Sequence, residues 1–185
     1  KAKTDLPATG NQRVQALKKS PMQITFHETE EHHFPLIKEI YDWFIANSTA
    51  TFHTEPVAIS QLKEFIFVHH PRYKSYIIKV DEQRPDIVSL PIIKTAGLRP
   101  HRLGNYNLKP DFCNKGLGKI ALAYLEEKAA GTSIRNLVGI ISGDNRGSIA
   151  LFEHAGFTKC AHFRNVGEKF NKILDVVAYQ KETGM

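Results

Sequence analysis

The most informative stretch of the chain is Lys109-Pro-Asp-Phe-Cys-Asn-Lys-Gly-Leu-Gly-Lys-Ile-Ala-Leu-Ala-Tyr-Leu-Glu-Glu-Lys128. A strand is predicted to end at Tyr106-Asn107-Leu108, because Pro110 cannot donate a ladder hydrogen bond. Apolar residues at a three/four spacing then predict an amphipathic helix that begins near Gly116. Its apolar positions are Leu117, Ile120, Ala121, Tyr124 and Leu125. The stretch therefore predicts a strand, a short loop and a helix.

This loop has the composition of an anion site. The first amides of a helix have no intrahelical partner, and the helix dipole places partial positive charge beside them. Gly116 and Gly118 are expected to let a ligand approach the backbone closely, and a pyrophosphate would fit there. A plain glycine-containing helix start gives the same pattern. The loop is neither a P-loop, since it lacks the Gly-Lys-Ser/Thr ending, nor a Rossmann fingerprint, since the third glycine is absent.

Bulk properties indicate a globular domain. The length of 185 residues suits one domain with a sizeable core, and 42% hydrophobic with 24% charged residues is ordinary for such a chain. No apolar run approaches the roughly 18 residues needed to span a bilayer, and the first twenty residues lack the apolar segment of a signal peptide. Cys113 and Cys160 show no metal-ligand spacing, so a reduced, cytoplasmic setting without a membrane is expected.

The net charge of +6 favours an anionic partner. The basic residues are scattered, and no arginine-rich helix or aromatic-interleaved basic stripe supports nucleic-acid binding. The adjacent pairs His32-His33 and His69-His70 are expected at surfaces or helix ends rather than in a metal site, because neighbouring helix residues do not face each other. An anionic cofactor explains the charge equally well, and a nucleic-acid binder is a third, weaker interpretation that rests on the charge alone.

The order of elements predicts one mixed α/β (α+β) domain. Residues 1–21 are polar and are interpreted as a poorly ordered extension, and residues 22–185 as the domain. Within it the predicted order is β-α-α-β-β-β-α-β-α-β-β around a central, largely antiparallel sheet flanked by helices. The second helix is predicted over 59–70. The last two strands are predicted over 158–166 and 173–180, as a hairpin around 167–172.

Several segments together resemble the GNAT superfamily of acyl-CoA N-acyltransferases. The 109–119 loop is similar to that family's acetyl-CoA pyrophosphate motif. The run Asp144-Asn-Arg-Gly-Ser-Ile-Ala-Leu-Phe-Glu-His-Ala-Gly-Phe157 resembles its later motif, in which an Asn starts a helix that ends in Gly-Phe. Ser48-Thr-Ala-Thr-Phe52 with Glu55-Pro56, and Val166-Gly-Glu-Lys-Phe170, resemble the phosphinothricin/methionine sulfoximine N-acetyltransferase branch. The resemblance covers about residues 22–181 and implies a GNAT-like fold.

The resemblance implies acetyl-CoA as cofactor. Backbone groups around Asn107, Leu108 and Lys109 would bind the pantetheine arm and the acetyl carbonyl. Asn145 would contact the pantetheine region and Ser148 would support it, although a plain N-cap and a helix-surface residue remain the alternatives. The pyrophosphate would lie on the loop formed by Cys113, Asn114, Lys115, Gly116, Leu117 and Gly118, with Lys119 adding charge.

The resemblance also implies an acceptor side. Thr49, Thr51 and Phe52 would line it from one loop, and Lys169 and Phe170 from the closing hairpin. Lys169, Phe170 and Asp175 are expected chiefly to fix that hairpin or a dimer contact, and a homodimer is expected because the family often dimerises through its terminal region.

The expected catalytic carboxylate is missing. Branch members usually carry a Glu on the strand before the pyrophosphate loop, and that position falls here on Leu103, or on Arg102 if shifted by one. No acidic residue lies between Asp86 and Asp111. His101, whose ordinary pKa suits a base, and Glu55 are the substitute candidates.

Two functions follow from these motifs. The first is acetyl transfer from acetyl-CoA to the amino group of a small amino-acid-like acceptor, by direct attack without a covalent enzyme intermediate. The alternative is a degenerate GNAT domain that binds CoA and serves a regulatory or binding role. Product formation distinguishes them.

Overall fold

The structure is a computed structural model. It describes the backbone of residues 23–70, 74–80, 88–90, 107–108, 115–130, 132 and 134–183, and the side chains of these residues except 88–90 and 107–108. The expected extension over 1–21 lies outside the described residues.

The first half of the fold is an antiparallel sheet with helices in its first connection. Strand β1 (Ile24–Glu28) leads through a 3-10 turn (Glu31–His33) into α1 (Phe34–Asn47) and then α2 (Ile59–Phe65). The chain continues through β2, β3 and β4, and the sheet order is β1-β2-β3-β4. These three strands are Tyr76–Val80, Val88–Leu90 and Asn107–Leu108.

The second half is a three-stranded sheet with two helices. Its strands lie in the order β5-β7-β6, so the last strand is central. Register runs from Asn136↔Glu182 to Ser142↔Val176 between β5 and β7. The elements are α3 (Leu117–Ala130), β5 (Asn136–Ser142), α4 (Arg146–His154), β6 (Thr158–Lys169) and β7 (Lys172–Glu182).

The element order and mixed α/β class confirm the sequence prediction, with three differences. All strand pairings among the described residues are antiparallel, and the expected central sheet is present as two sheets. Helix α2 ends at Phe65 rather than near 70, because Ile66 is extended and the Phe67 amide donates to Ser75 Oγ at 3.1 Å. The last two strands run longer than predicted and meet in a two-residue turn.

That turn, Phe170-Asn171, has positive φ at both residues, 53° and 56°. This geometry matches the right-handed twist of a hairpin and keeps the two strands paired to their ends, Lys169 opposite Lys172. Phe170 is unusual at such a position, since bulky residues rarely adopt positive φ. Asn171, by contrast, is a residue type that tolerates this conformation well.

Buried side chains form clusters on both sides of the sheets. Helix α1 packs its apolar face with α2 and with Ile77 of β2. Helix α3 covers Ile78 and Val80 on the opposite face of β2, and joins α4 in a further cluster over β5 and β7. In the described part of the chain, no helix is both long and apolar enough to cross a membrane.

His33 links β1 to α1 and is buried, although the sequence placed it at a surface or helix end. It is at a helix end: its amide donates to the Glu30 carbonyl at 3.0 Å, and its Nδ1 accepts the Glu30 amide at 2.9 Å. Only a ring with an unprotonated Nδ1 can accept that bond. Burial, together with the charges of His32 and Lys79, lowers the pKa of His33.

We expect the stability that His33 contributes to decline as pH falls. In the unfolded chain the His33 pKa is near 6.5, whereas in the folded protein it is lower. As pH falls below 6.5, the unfolded state therefore binds a proton that the folded state does not, and the free energy of unfolding decreases until the folded pKa is passed. In urea unfolding, His33→Ala should cost about 1–2 kcal/mol at pH 7.5, and the gap to wild type should narrow at pH 5. The control His154→Ala, at an exposed histidine, should show no narrowing. A His33→Ala gap that is the same at both pH values would contradict this assignment.

Candidate functional site

The start of α3 offers backbone donors beside open space. The first amides to bond inside the helix are those of Lys119 and Ile120, which both donate to Gly116 O. The amides of Leu117 and Gly118 therefore lie in the first turn, where the helix supplies no acceptor. Gly116 has φ of 78°, which favours glycine, and an added Cβ would meet no atom of the described residues within 4 Å.

The two glycines of this loop differ in what surrounds them, and their contact with a cofactor stays a prediction. Gly116 sets the backbone conformation and leaves room beside it. Gly118 faces α4: a Cβ there would lie 3.0 Å from Leu151 Cδ2. Gly118 therefore lets α3 pack closely on α4, while its backbone amide stays in the first turn of α3.

The remaining residues predicted to hold the cofactor divide by position. Lys115 and Lys119 are exposed beside the α3 start, and Leu117 is buried in the core, so only its backbone could serve a ligand. Asn107 and Leu108 form β4 and pair with Leu90 and Ser89 of β3. Lys109, Cys113 and Asn114 lie outside the described residues.

The turn between β5 and α4, residues 142–145, is called here the cofactor turn. Asn145 caps α4, since its Oδ1 accepts the Ser148 amide at 3.1 Å. The N-cap interpretation is thus correct, and the Nδ2 group remains outside that bond as a donor for a ligand. Gly143 fixes the turn on β7: its amide donates to Asp175 O at 2.8 Å, and a Cβ at Gly143 would come 2.8 Å from Asp175 Cβ.

Residues 48–56, the acceptor loop, are bonded directly to the cofactor turn. The Thr49 hydroxyl lies 2.9 and 3.0 Å from the two carboxylate oxygens of Asp144. Ser142 Oγ donates to the same carboxylate at 2.6 Å. The contact joins residues 95 positions apart and brings Thr49 next to the residue that precedes Asn145. Asp144 was not among the predicted site residues, although it adjoins Asn145 in the motif.

Buried hydrogen bonds hold the middle of the acceptor loop. Tyr41 of α1 places its hydroxyl 2.9 Å from Thr51 Oγ1 and 2.8 Å from His53 Nδ1. Thr51 is 1% exposed. Its hydroxyl is thus engaged inside the protein and is not exposed for direct contact with an acceptor.

Lys169 anchors the same loop to the closing hairpin of β6 and β7. Its Nζ donates to Ser48 O at 2.7 Å and to Thr51 O at 2.8 Å, and the side chain is 2% exposed. Burial lowers the pKa of Lys169. The expectation that Lys169 fixes the hairpin agrees with this geometry, whereas direct contact with an acceptor would need exposure that it lacks.

Phe52 lies across the hairpin. A Cβ built on Gly167 would fall 2.6 Å from Phe52 Cε1, so the ring rests where a side chain at 167 would be. Phe52 and Phe170 keep 39% and 51% of their surface exposed. Both predicted acceptor-side aromatics are therefore available for contact.

Asp175 organises the irregular part of β6. It accepts His162 Nε2 at 2.7 Å and the Asn165 amide at 2.9 Å. The Asn165 amide and the His162 side chain lower the pKa of Asp175. The prediction that Asp175 fixes the hairpin matches these bonds.

The two candidate bases remain predictions. Glu55 is exposed in the acceptor loop, and His101 lies outside the described residues. No group of three or more His, Cys, Asp or Glu side chains among the described residues is arranged to hold a metal.

Replacing Lys169 should loosen the acceptor loop. Lys169→Met leaves two buried carbonyls without their donor and should cost about 2–4 kcal/mol in urea unfolding. The matched control Lys172→Met removes the exposed lysine directly opposite in the hairpin and should change stability by less than about 0.5 kcal/mol. Equal effects of the two substitutions would show that the carbonyl contacts of Lys169 do not anchor the loop.

Comparison with known proteins places this site in a family. A sequence model of the acetyltransferase (GNAT) family matches residues 37–157, more than half of the chain. The phosphinothricin N-acetyltransferase of Streptomyces coelicolor is 25% identical over 154 residues, which cover 78% of this chain and 88% of that protein.

Solved structures show the same fold. A GNAT superfamily phosphinothricin acetyltransferase from Sinorhizobium meliloti, in complex with AcCoA, has a TM-score of 0.73 at 22% identity, over 87% of this chain and 89% of that one. An N-acetyltransferase from Staphylococcus aureus Mu50 has a TM-score of 0.73 at 20% identity, over 88% and 99% of the two chains. The family match, which contains the α3 start and the cofactor turn, agrees with this fold, and the chain belongs to the acetyltransferase (GNAT) family.

Proposed function

We propose that this protein transfers an acetyl group from acetyl-CoA to the amino group of a small amino-acid-like acceptor. One observation carries the proposal: the acceptor loop is bonded to the cofactor turn through Thr49 and Asp144. Elements that the motifs assign to acceptor and cofactor therefore belong to a single site. The named relative from Streptomyces coelicolor, a phosphinothricin N-acetyltransferase, supports an acceptor of this class.

The donor set at the α3 start fits an anionic cofactor. First-turn amides, the open space beside Gly116 and the exposed Lys115 and Lys119 suit a pyrophosphate. Asn145 would hold the pantetheine arm through its Nδ2 group, while its Oδ1 stays on the Ser148 amide. When bound, acetyl-CoA supplies an acetyl thioester.

The protein's own residues would bring the acceptor to that thioester and polarise it. Amides near Leu108 in β4 would stabilise negative charge on the carbonyl oxygen. The acceptor loop and the closing hairpin would orient the amine, with Phe52 and Phe170 as exposed contacts. Direct attack needs a neutral amine, so Glu55 or His101 would take its proton, or the amine would arrive deprotonated.

We also propose a homodimer formed through the closing hairpin. Four large apolar side chains on β6, β7 and their turn are 51–60% exposed: Phe163, Val166, Phe170 and Ile173. These side chains lie on both faces of the hairpin, since Phe163 is opposite Val176 and Ile173 is opposite Glu168. Exposed apolar surface of this extent on one hairpin supports contact with a second copy of the chain. A cytoplasmic location remains a proposal from the sequence, which cell fractionation would test.

Calorimetry with acetyl-CoA, followed by free-thiol release with a panel of amino acids, phosphinothricin and methionine sulfoximine, tests the proposed activity. We expect a dissociation constant of about 1–100 µM and thiol release that depends on the acceptor. Gly116→Ala should weaken binding about tenfold, because a side chain disfavours its positive φ. Gly156→Ala, at a glycine with φ of 82° at the end of α4, carries the same backbone cost and should leave binding unchanged. Binding without turnover on any acceptor would favour the non-catalytic alternative.

Sedimentation tests the dimer. The wild type should sediment as a dimer at micromolar concentration. The double variant Phe163→Ser/Ile173→Ser should sediment as a monomer and should still show a cooperative thermal unfolding transition. Trp43→Ser, at an exposed aromatic residue of α1 outside the hairpin, is the control and should remain dimeric. A monomeric wild type would contradict the dimer but not the proposed activity.

A further inference from the structure

The acceptor loop is held in two chemically different ways. On the hairpin side its contacts are buried: Lys169 is 2% exposed and Thr51 1% exposed. On the cofactor side it is held through Thr49, which is half-buried, and Asp144, which is exposed. Exposed hydrogen bonds open with a low free energy, and buried ones do not. The Thr49–Asp144 contact is therefore the bond of the loop that is easiest to break.

The partner of this exposed bond is oriented by hydrogen bonds within the cofactor turn. The Asp144 carbonyl accepts the Arg146 amide at 2.9 Å, and the Asn145 amide donates to Ser142 O at 3.0 Å. Gly143 is fixed on β7 through Asp175. The carboxylate of Asp144 is oriented by the Ser142 hydroxyl and presented toward Thr49. Whatever stabilises the cofactor turn thus also holds Asp144 in the position that receives Thr49.

We propose that Asp144 is a positioning residue that couples cofactor binding to the order of the acceptor loop. A cofactor held by Asn145 immobilises the turn and with it the Asp144 carboxylate, which then keeps Thr49 and the loop in place. This inference rests on the proposed function, since it requires CoA to bind at the cofactor turn.

The coupling is reciprocal, as any coupling free energy must be. Removing the Thr49 hydroxyl should weaken CoA binding although Thr49 belongs to the acceptor loop, and removing the Asp144 carboxylate should loosen that loop although Asp144 belongs to the cofactor turn. Each single substitution breaks the same bond, so the effects of Thr49→Val and Asp144→Ala should not add in the double variant.

Hydrogen exchange with CoA alone tests the coupling without turnover. In wild type, saturating CoA should slow amide exchange over residues 49–54 by about two- to tenfold. Thr49→Val and Asp144→Ala should abolish this protection, measured at CoA concentrations that saturate each variant by calorimetry. Thr54→Val removes an exposed threonine hydroxyl of the same loop and should keep it. A merely structural role of Asp144 would lower protection equally with and without CoA.

The possible outcomes distinguish this proposal from the proposed function on which it rests. Absence of CoA binding to wild type would overturn both. CoA binding without added loop protection, or protection that survives in Thr49→Val and Asp144→Ala, would overturn the coupling alone. Loop protection without acetyl transfer to any acceptor would support the coupling while contradicting the proposed enzymatic activity.

Discussion

The site depends on one buried cation. The ammonium of Lys169 lies where the carbonyls of Ser48 and Thr51 meet, and Ser48 is the residue that ends α1. Burying a charge is costly unless its donors are satisfied. Here two carbonyls accept from it, and the C-terminal end of a helix carries partial negative charge that favours a cation. Backbone carbonyls thus act as the partners of this buried lysine in the way that a carboxylate often does. Lys169 of the hairpin can therefore fix the end of α1.

That contact matters because the fold is built in two sheets. Helix α1 and the acceptor loop follow from the first sheet, whereas the cofactor turn and the closing hairpin belong to the second. The loop is bonded to both parts of the second unit, to the hairpin by Lys169 and to the turn by Thr49. Neither half contains the site by itself. The candidate site forms only where the two halves pack together, so its geometry depends on that packing.

Local signals allowed much of this to be predicted from the sequence. The order of elements followed from periodicity and from Pro and Gly positions, and Asn145 at a helix start followed from its residue type. The end of α2 could not be predicted, because it is set by a bond from the Phe67 amide to Ser75, directly before β2. The packing of Gly118 could not be predicted for the same reason, since it is against Leu151 on a later helix. Asp144 was missed because nothing local marks a partner 95 residues away.

The close packing of Phe52 on Gly167 constrains how such a protein can change. The ring occupies the space of any side chain at 167, so a larger residue there requires a smaller one at 52. The side chains at positions 52 and 167 must therefore be matched in size, although one lies in a loop and the other in a strand far along the chain. A loop transplanted from a relative to alter acceptor choice would have to bring its own hairpin residue with it. Recombination that separates the two segments would therefore produce mismatched packing between positions 52 and 167.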